Sequence, residues 1–323
     1  MTMTERAVIT IQTRDATYTP LVAEGISLEF CRAGAPGKLT FQVVKDSVIR
    51  FHEGDHVVLR MGADVLFAGF VFTKRRQFGG VITVAAYDQI RYLKNRDTLA
   101  YEDLTAAGLV RLVAGEWGLA VGEIEETGIL IPGRVEDGRP LLDMIQTALD
   151  LTFEQSGHLF VLYDQAGALC LTHAENMALD TLVHEGSMGD FDYTSSIDRG
   201  SYSAVRLYRA AGTAGETMFY GARREDLVQR WGMLRHVARL DEGADGSETA
   251  EAMMGLYGRK TRRLRIKEAD GDVRVRGGSM LPVELYLGDV VVGTFLMVER
   301  VVHRFFEGGH TMELTLVGGE FVD

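Results

Sequence analysis

Apolar and polar residues alternate with a period of two through the closing part of the chain, from Arg262 to Leu316. Alternation of this kind is typical of β-strands that bury one face. It is clearest in three sets of apolar positions: Leu264 and Ile266, Val273 and Val275, and Met312, Leu314 and Leu316. The runs are separated by turn sequences, namely Asp270-Gly271, Gly277-Gly278, Gly288-Asp289 and Glu307-Gly308-Gly309. The pattern predicts a small antiparallel barrel or sandwich without an evident active site.

The first ninety residues follow the same pattern. Their alternation predicts six short strands, at residues 7–13, 26–31, 38–44, 56–61, 65–74 and 81–86. Glycine-rich segments break the pattern between the strands, as turns require. A first small barrel is therefore predicted at the beginning of the chain.

The periodicity becomes helical in the middle of the chain. Residues 105–117 place their apolar side chains on one helical face, with Thr105 as the predicted N-cap. A second helix is predicted to begin with Pro140 at its first position. Residues 158–163 and 168–172 then predict a β-hairpin, so that this part reads as a small α+β module.

A strand near residues 202–209 is predicted next, followed by two further helical segments, at 224–234 and 248–257. The acidic, glycine-containing stretch 241–246 between the two helices predicts a loop. Ser247 is the predicted cap of the second helix. Two β-rich units therefore bracket helical inserts.

Composition narrows the possible functions. The chain has 323 residues and a formal net charge of -12, which argues against stable nucleic-acid binding because phosphates require a positive surface. Only two cysteines occur, Cys31 and Cys170, so no disulfide framework is implied, although one bridge between them stays open. No signal-peptide pattern and no run of about 18 apolar residues is present. We expect a soluble chain without membrane insertion.

One short motif matches a known catalytic string. HEGDH, from His52 to His56, has the letters of the zinc-protease motif HExxH. That chemistry needs a helix, because only there do residues i and i+4 share a face and a metal ion. Apolar residues on both sides and Gly54-Asp55 between them favour a strand, a turn and a second strand instead.

A basic run precedes the closing strands. On a β-strand, Arg263, Arg265 and Lys267 would share one face while Leu264 and Ile266 face the core. The run could be a nucleic-acid footprint. In an acidic protein, however, such a stripe favours a solvated or subunit-pairing face, because electrostatic complementarity sets the register between partners. The stripe is therefore our candidate subunit contact.

The remaining reactive residues do not form a catalytic pattern. His303 and His310 flank a predicted hairpin tip without a carboxylate or thiol at matching spacing, so packing or surface positions are expected. Ser195-Ser196 lies in YTSSID, which lacks the glycine-flanked elbow of hydrolase serines. We predict no catalytic residue, no cofactor and no metal site.

Six segments carry a resemblance to a known family: FHEGDHVVLRMGADVLFAGFVFTKRR (51–76), AAYDQIRYLKNRDTLAYEDLTAAGLV (85–110), GRPLLDMIQTALDLTFEQSGHLFVLYDQAGALCL (138–171), FDYTSSID (191–198), GRKTRRLRIKEADGDVRVRGG (258–278) and VERVVHRFFEGGHTMELTL (298–316). Together, and in this order, they resemble the baseplate hub proteins of contractile phage tails and phage-like particles, of the XkdQ and late-control-gene-D type. The resemblance spans almost the whole chain.

The resemblance implies an α+β, mainly β fold with two tube-like antiparallel β-barrel domains and peripheral α+β modules. The first barrel would comprise residues 1–92, and the second residues 189–211 with 260–323. A small α+β domain of two helices and a hairpin would occupy 93–188, and a helical insert 212–259. Three such chains would form a pseudo-sixfold ring around an axial channel.

The implied role is that of a structural hub, not an enzyme: a homotrimeric ring that connects the tail tube protein to the central spike protein. A LysM-containing baseplate protein and the tape-measure protein are further implied partners. The protein would be located in the baseplate of a virion or tail-like particle, which is assembled in the bacterial cytoplasm. Two alternatives from other classes stay open, a tail-associated cell-wall hydrolase and a glycan-binding module.

Overall fold

Period-two segments of the sequence become β-strands in the computed structural model, which describes residues 6–76, 78–209, 217–240, 244–318 and 321–322. The chain divides into two compact units. The first comprises Met1–Asp192 and Arg265–Asp323, and the second comprises Tyr193–Leu264. Strands predominate over helices, which confirms the prediction of a mainly β chain.

Seven strands form the first section of a large sheet: β1 (Ala7–Gln12), β2 (Thr17–Tyr18), β3 (Val22–Cys31), β4 (Lys38–Val44), β5 (His56–Met61), β6 (Asp64–Arg76) and β7 (Val81–Tyr87). They pair antiparallel in the order β3-β4-β7-β6-β5-β1-β2. Alternate residues of β4, Leu39, Phe41 and Val43, are almost fully buried in its core, as the alternation predicts. All six predicted strands are present, and β2 is an additional short one.

A module of helices and short strands follows. This part of the chain also has three 3₁₀ helices, at Gln89–Lys94, Ala174–Met177 and Glu185–Ser187. Its elements are β8 (Arg96–Tyr101), β9 (Leu104–Thr105), α1 (Ala106–Glu116), β10 (Val121–Ile124), β11 (Leu130–Ile131), β12 (Arg134–Pro140), α2 (Leu141–Ser156), β13 (Phe160–Gln165) and β14 (Ala168–His173). The next two strands, β15 (Val183–His184) and β16 (Asp190–Ser196), pair within the large sheet. The Thr105 hydroxyl accepts a hydrogen bond from the Gly108 N–H at 3.0 Å, which confirms the predicted N-cap. Pro140 is the residue before α2 and not its first residue. The predicted hairpin is β13 and β14.

Residues 193–264 contain a separate three-stranded sheet and two helices: β17 (Ala204–Arg209), β18 (Met218–Arg223), α3 (Glu225–Trp231), β19 (Arg235–Arg239) and α4 (Gly246–Tyr257). The strand order is β18-β17-β19, so β17 pairs within this unit and not with the closing strands. The segment predicted as a helical insert therefore also contains two strands. Asp245, not Ser247, caps α4, since its carboxylate accepts from the N–H groups of Ser247 and Glu248. Residues 241–243 of the predicted loop lie outside the described residues.

The closing strands are β20 (Thr261–Asp270), β21 (Met280–Tyr286), β22 (Val291–Phe306), β23 (Gly309–Val317) and β24 (Phe321–Val322). The long strand β22 pairs with β21 through residues 291–297 and with β3 through residues 300–305. The opening and closing strands are therefore parts of one linked 14-stranded sheet. Among the described strands, the pairings do not close into a ring.

Candidate functional site

The predicted basic stripe lies on strand β20. Leu264 and Ile266 are almost completely buried, at 0% and 1% exposure, while Arg263, Arg265 and Lys267 are exposed. This confirms the predicted alternation along the strand. Its role as a subunit contact stays a prediction.

One member of the stripe already has an ionic partner within the sheet. The Nζ atom of Lys267 lies 2.7 Å from Oδ2 of Asp190 on the neighbouring strand β16. This ion pair lowers the pKa of Asp190, first through the hydrogen bond from Lys267. Both side chains are exposed, so the pair contributes little to stability.

Sequence reasoning missed a cluster of charged groups centred on Arg276, between β20 and β21. Its Nη1 donates to Oε1 of Gln165 at 2.6 Å, and its Nη2 donates to the backbone oxygen of Asp164 at 2.7 Å. The guanidinium carbon lies 4.1 Å from the ring centre of Tyr163 and 5.0 Å from that of Phe30. Arg276 therefore combines hydrogen bonds with cation–π contacts to two different parts of the chain.

Two carboxyl groups adjoin this arginine. Asp88 is 2% exposed, and its carboxyl oxygens accept from the N–H groups of Gly37 at 2.7 Å and Ile90 at 3.1 Å. Asp164 is 5% exposed and accepts from the N–H of Gly167 at 2.7 Å.

Burial changes the ionisation of all three groups. It raises the pKa of Asp88 well above its usual range, and the negative charge of Asp164 adds to the effect. Burial also raises the pKa of Asp164 to about 6 and lowers that of Arg276. A cavity of only about 10 Å³ adjoins the cluster, which is about the space of one water molecule. The arrangement suits an internal contact between chain segments, not a substrate site.

His303 and His310, for which packing or surface positions are predicted, form a hydrogen-bonded pair of one buried and one half-buried side chain. His303 is 1% exposed, and its Nε2 donates to the backbone oxygen of Val275 at 2.8 Å. Because a carbonyl can only accept, the proton of His303 is on Nε2, and Nδ1 accepts from Nε2 of His310 at 3.0 Å. Burial lowers the pKa of His303 to about 3 and that of His310 to about 4, and the neighbouring His310 lowers the value of His303 further. His303 therefore has a packing position, as predicted.

The HEGDH string has no helical geometry. Residues 53–54 form a turn, and His56 begins strand β5. Asp55 accepts a hydrogen bond from the N–H of His52, and the ring of His56 packs edge-on against Phe70. Residues 48–51 precede the turn as a loop, so the first of the two predicted strands is absent while the turn is confirmed. Over the described parts of the chain, no group of three or more histidine, cysteine, aspartate or glutamate side chains is arranged to hold a metal ion.

Comparisons with known proteins identify the family to which this linked sheet and its peripheral modules belong. The chain belongs to the YQBQ-like family, whose model matches residues 26–317. It is 26% identical over 317 residues to the phage-like element PBSX protein XkdQ of Bacillus subtilis, covering 94% of this chain and 95% of that protein. The resemblance inferred from the sequence is thereby confirmed.

Solved structures share the fold. The 43 kDa tail protein of prophage MuSo2 from Shewanella oneidensis matches with a TM-score of 0.69 at 13% identity, covering 96% of this chain and 98% of that one. The Escherichia coli c3393 protein, a component of the type VI secretion system, matches with a TM-score of 0.54 at 8% identity. The match covers 97% of this chain and 77% of that one. At these identities the likeness concerns the fold. Within the described residues, no helix is long and apolar enough to cross a membrane.

Proposed function

We propose that this protein is a structural component of the baseplate hub in a contractile phage tail or tail-like particle. The observation that carries the proposal is the match to XkdQ over 94% of the chain. The family model over residues 26–317 and the fold shared with a prophage tail protein over 96% of the chain also support it. A structural role accords with a cavity of about 10 Å³ at the buried charge cluster, which leaves no room there for a substrate.

In this role the protein forms a homotrimeric ring between the tail tube protein and the central spike protein. Each copy contributes two antiparallel sheet sections, and three copies contribute six, which suits an adapter between a sixfold tube and a threefold spike. The c3393 protein is described as structurally similar to the T4 bacteriophage tail proteins gp27 and gp5, which supports this analogy. The LysM-containing baseplate protein and the tape-measure protein are further partners in the proposal.

The proposed tube-like domains correspond to the two sections of the linked sheet. Residues 1–92 form the first, and residues 189–211 with 260–323 form the second, except that β17 pairs in the separate small sheet. The module 93–188 and the insert 212–259 are peripheral. The particle would assemble in the bacterial cytoplasm.

Reconstitution tests the proposal. The purified chain would be mixed with the tube and spike proteins of the same particle, and the complexes examined by sedimentation velocity and electron cryomicroscopy. We expect three copies in a closed ring between tube and spike. A chain that stays monomeric at tens of micromolar with the spike present contradicts the hub.

Two further assays address the alternative classes. Clearing of a peptidoglycan suspension by the purified chain would indicate a cell-wall hydrolase, and binding on a glycan array would indicate a carbohydrate module. The proposal expects neither result.

A further inference from the structure

The small sheet of residues 193–264 has one covered and one open face. Val205, Leu207 and Ala222 point to the covered face, where they pack with Leu227 of α3 and Met254 of α4. The opposite face consists of the intervening residues of the three strands, most of which are exposed, while Ala204 is buried and Tyr208 is half-buried. We call it the basic sheet face and define it by Arg206, Phe219, Arg223, Arg235, Val237 and Arg239.

The strand register shows that these side chains share one face. Arg206 on the central strand lies opposite Gly221 of β18 and Val237 of β19. Two residues further along the central strand, Tyr208 lies opposite Phe219 and Arg239. Two residues in the other direction, Ala204 lies opposite Arg223 and Arg235. Directly opposed residues project to the same side of a sheet, so four arginines surround two apolar side chains.

The apolar part of this face is exposed to an unusual degree. Phe219 and Val237 are each 56% exposed, and Met233 beside them is 47% exposed. The guanidinium carbon of Arg206 lies 4.2 Å from the ring centre of Phe219, which holds a charge and an aromatic ring together at the surface. Aromatic and arginine side chains side by side are the composition enriched at protein interfaces.

Three of the four arginines have no ion pair with another described residue. Arg223 lies 3.0 Å from Glu225, but Arg206, Arg235 and Arg239 have no such contact over the described ranges 6–76, 78–209, 217–240, 244–318 and 321–322.

Charge is distributed unevenly along the chain. Residues 193–264 contain 12 lysine and arginine against 9 aspartate and glutamate residues, a net charge of +3. The rest of the chain holds the remaining 22 basic and 37 acidic residues, a net charge of -15. The part of the chain that carries the basic sheet face is therefore net positive, whereas the remainder is strongly net negative.

We propose that the basic sheet face docks onto the acidic surface of residues 1–192 and 265–323 of a second copy of this chain. A ring of three identical subunits needs two different, complementary surfaces on each subunit, because the contacts run head to tail. The chain offers one part of each net charge. A nucleic acid is disfavoured as the occupant, because the whole chain carries a charge of -12. The inference rests on the proposed hub, because it assigns one contact within that ring.

Charge reversal tests the docking face. The full-length variant Arg206→Glu with Arg235→Glu would be compared with Arg199→Glu and Arg230→Glu, which make the same charge change at exposed positions of the same unit outside the three strands. Self-association would be measured by sedimentation velocity at low and high salt, with and without the spike protein. We expect about tenfold weaker association for the first variant and wild-type association for the control. Equal losses in both variants, no loss in either, or no association of the wild type in any of these conditions would overturn the inference.

Photo-crosslinking identifies the molecule that binds the basic sheet face. A benzoylphenylalanine residue would replace Phe219 in the full-length chain, with the same label at the fully exposed Phe78 as a control. Mixing light and heavy isotope-labelled copies distinguishes contacts between copies from contacts within one copy. We expect mixed-isotope peptides from the acidic part of the second copy, suppressed at high salt. Crosslinks to the tube or spike protein alone, to nucleic acid, or to no partner would overturn the inference, whereas a trimeric ring seen with this face uncovered would leave the hub intact.

Discussion

The guanidinium carbon of Arg276 lies 4.1 Å from the ring centre of Tyr163, which joins a loop of the closing strands to the hairpin of the middle module. The same side chain faces Phe30 at the end of β3. Three segments that are distant in sequence therefore meet at one charged group. A charge in this position is maintained only while its neighbours satisfy it, so the contact makes the relative placement of these segments specific.

Replacement of Arg276 should destabilise the fold strongly. Arg276→Met keeps an unbranched apolar stem but removes both hydrogen bonds and the charge between Tyr163 and Phe30. We expect a loss of about 2 kcal/mol in the free energy of unfolding, because the Gln165 side chain and the Asp164 backbone oxygen each lose a hydrogen-bond partner in a partly buried position. Urea denaturation at pH 7.5 measures it. Arg304→Met is the matched control, because Arg304 forms a pair with Glu313 in which both side chains are exposed, and its loss should cost about 1 kcal/mol or less. Equal losses in the free energy of unfolding would show that the position of Arg276 adds no more stability than an exposed ion pair.

Because of Asp164, the free energy of unfolding should fall as the pH rises from 3.8 to about 6. Its pKa is raised from 3.8 to about 6, so the folded state binds more protons than the unfolded state between these values. Stability from this group is fully present below pH 4 and is lost above pH 6, a difference of about 3 kcal/mol for a shift of this size. Asp164→Asn should therefore be more stable than the wild type at pH 7.5 but not at pH 4.5, as measured by urea denaturation. Asp64→Asn, at an exposed position, should show no such pH-dependent gain.

The histidine pair should produce the opposite slope. Because the pKa values of His303 and His310 are lowered to about 3 and 4, the unfolded state binds more protons below pH 6.5. Stability should therefore fall as the pH decreases from 6.5 to 4. His303→Gln can still donate to the Val275 oxygen but does not titrate, so it should flatten this fall in unfolding experiments between pH 7 and 4.5. His52→Gln, at an exposed position, should leave the slope unchanged. An unaltered slope in His303→Gln would assign the acid sensitivity elsewhere.

Gly277 should not tolerate a side chain. A Cβ atom there would lie 2.3 Å from the backbone nitrogen of Arg32 and the carbonyl carbon of Cys31 at the end of β3. These backbone atoms cannot move without disturbing the pairing of β3 with β22, so Gly277→Ala should cost about 1–3 kcal/mol. Gly293→Ala in β22 has open space around the added methyl group and should be neutral or slightly stabilising. Thermal unfolding of the two variants compares them directly, and similar melting temperatures would contradict the close approach.

The sequence predicts the strands well where one face is buried and poorly where neither is. Strands β4 and β5 follow the alternation to the residue, because every second side chain enters the core. β8 and β12 were missed because most of their residues remain partly or fully exposed, so no apolar period is visible. β19 was missed for a related reason, since its outward positions are arginines and a valine on an open face. The helix predicted over 224–234 ends at Trp231 because Gly232 follows with a φ of 78°.

The candidate site depends more on tertiary contacts than on local pattern. The alternation on β20 places Arg263 and Arg265 on the exposed face correctly. Nothing in the local sequence distinguishes Arg276, which is enclosed, from Arg274, which is not. The difference arises because Phe30, Tyr163 and Asp164 converge on one of them through the fold.

The length of β22 has a mechanical consequence. Its first half is hydrogen-bonded to β21 and its second half to β3, so a single backbone segment belongs to both sections of the sheet. A load applied along this strand is borne by many hydrogen bonds in shear at the same time, instead of by one pair after another. Tension on one section of the sheet is therefore transmitted to the other through a continuous backbone rather than through a loop.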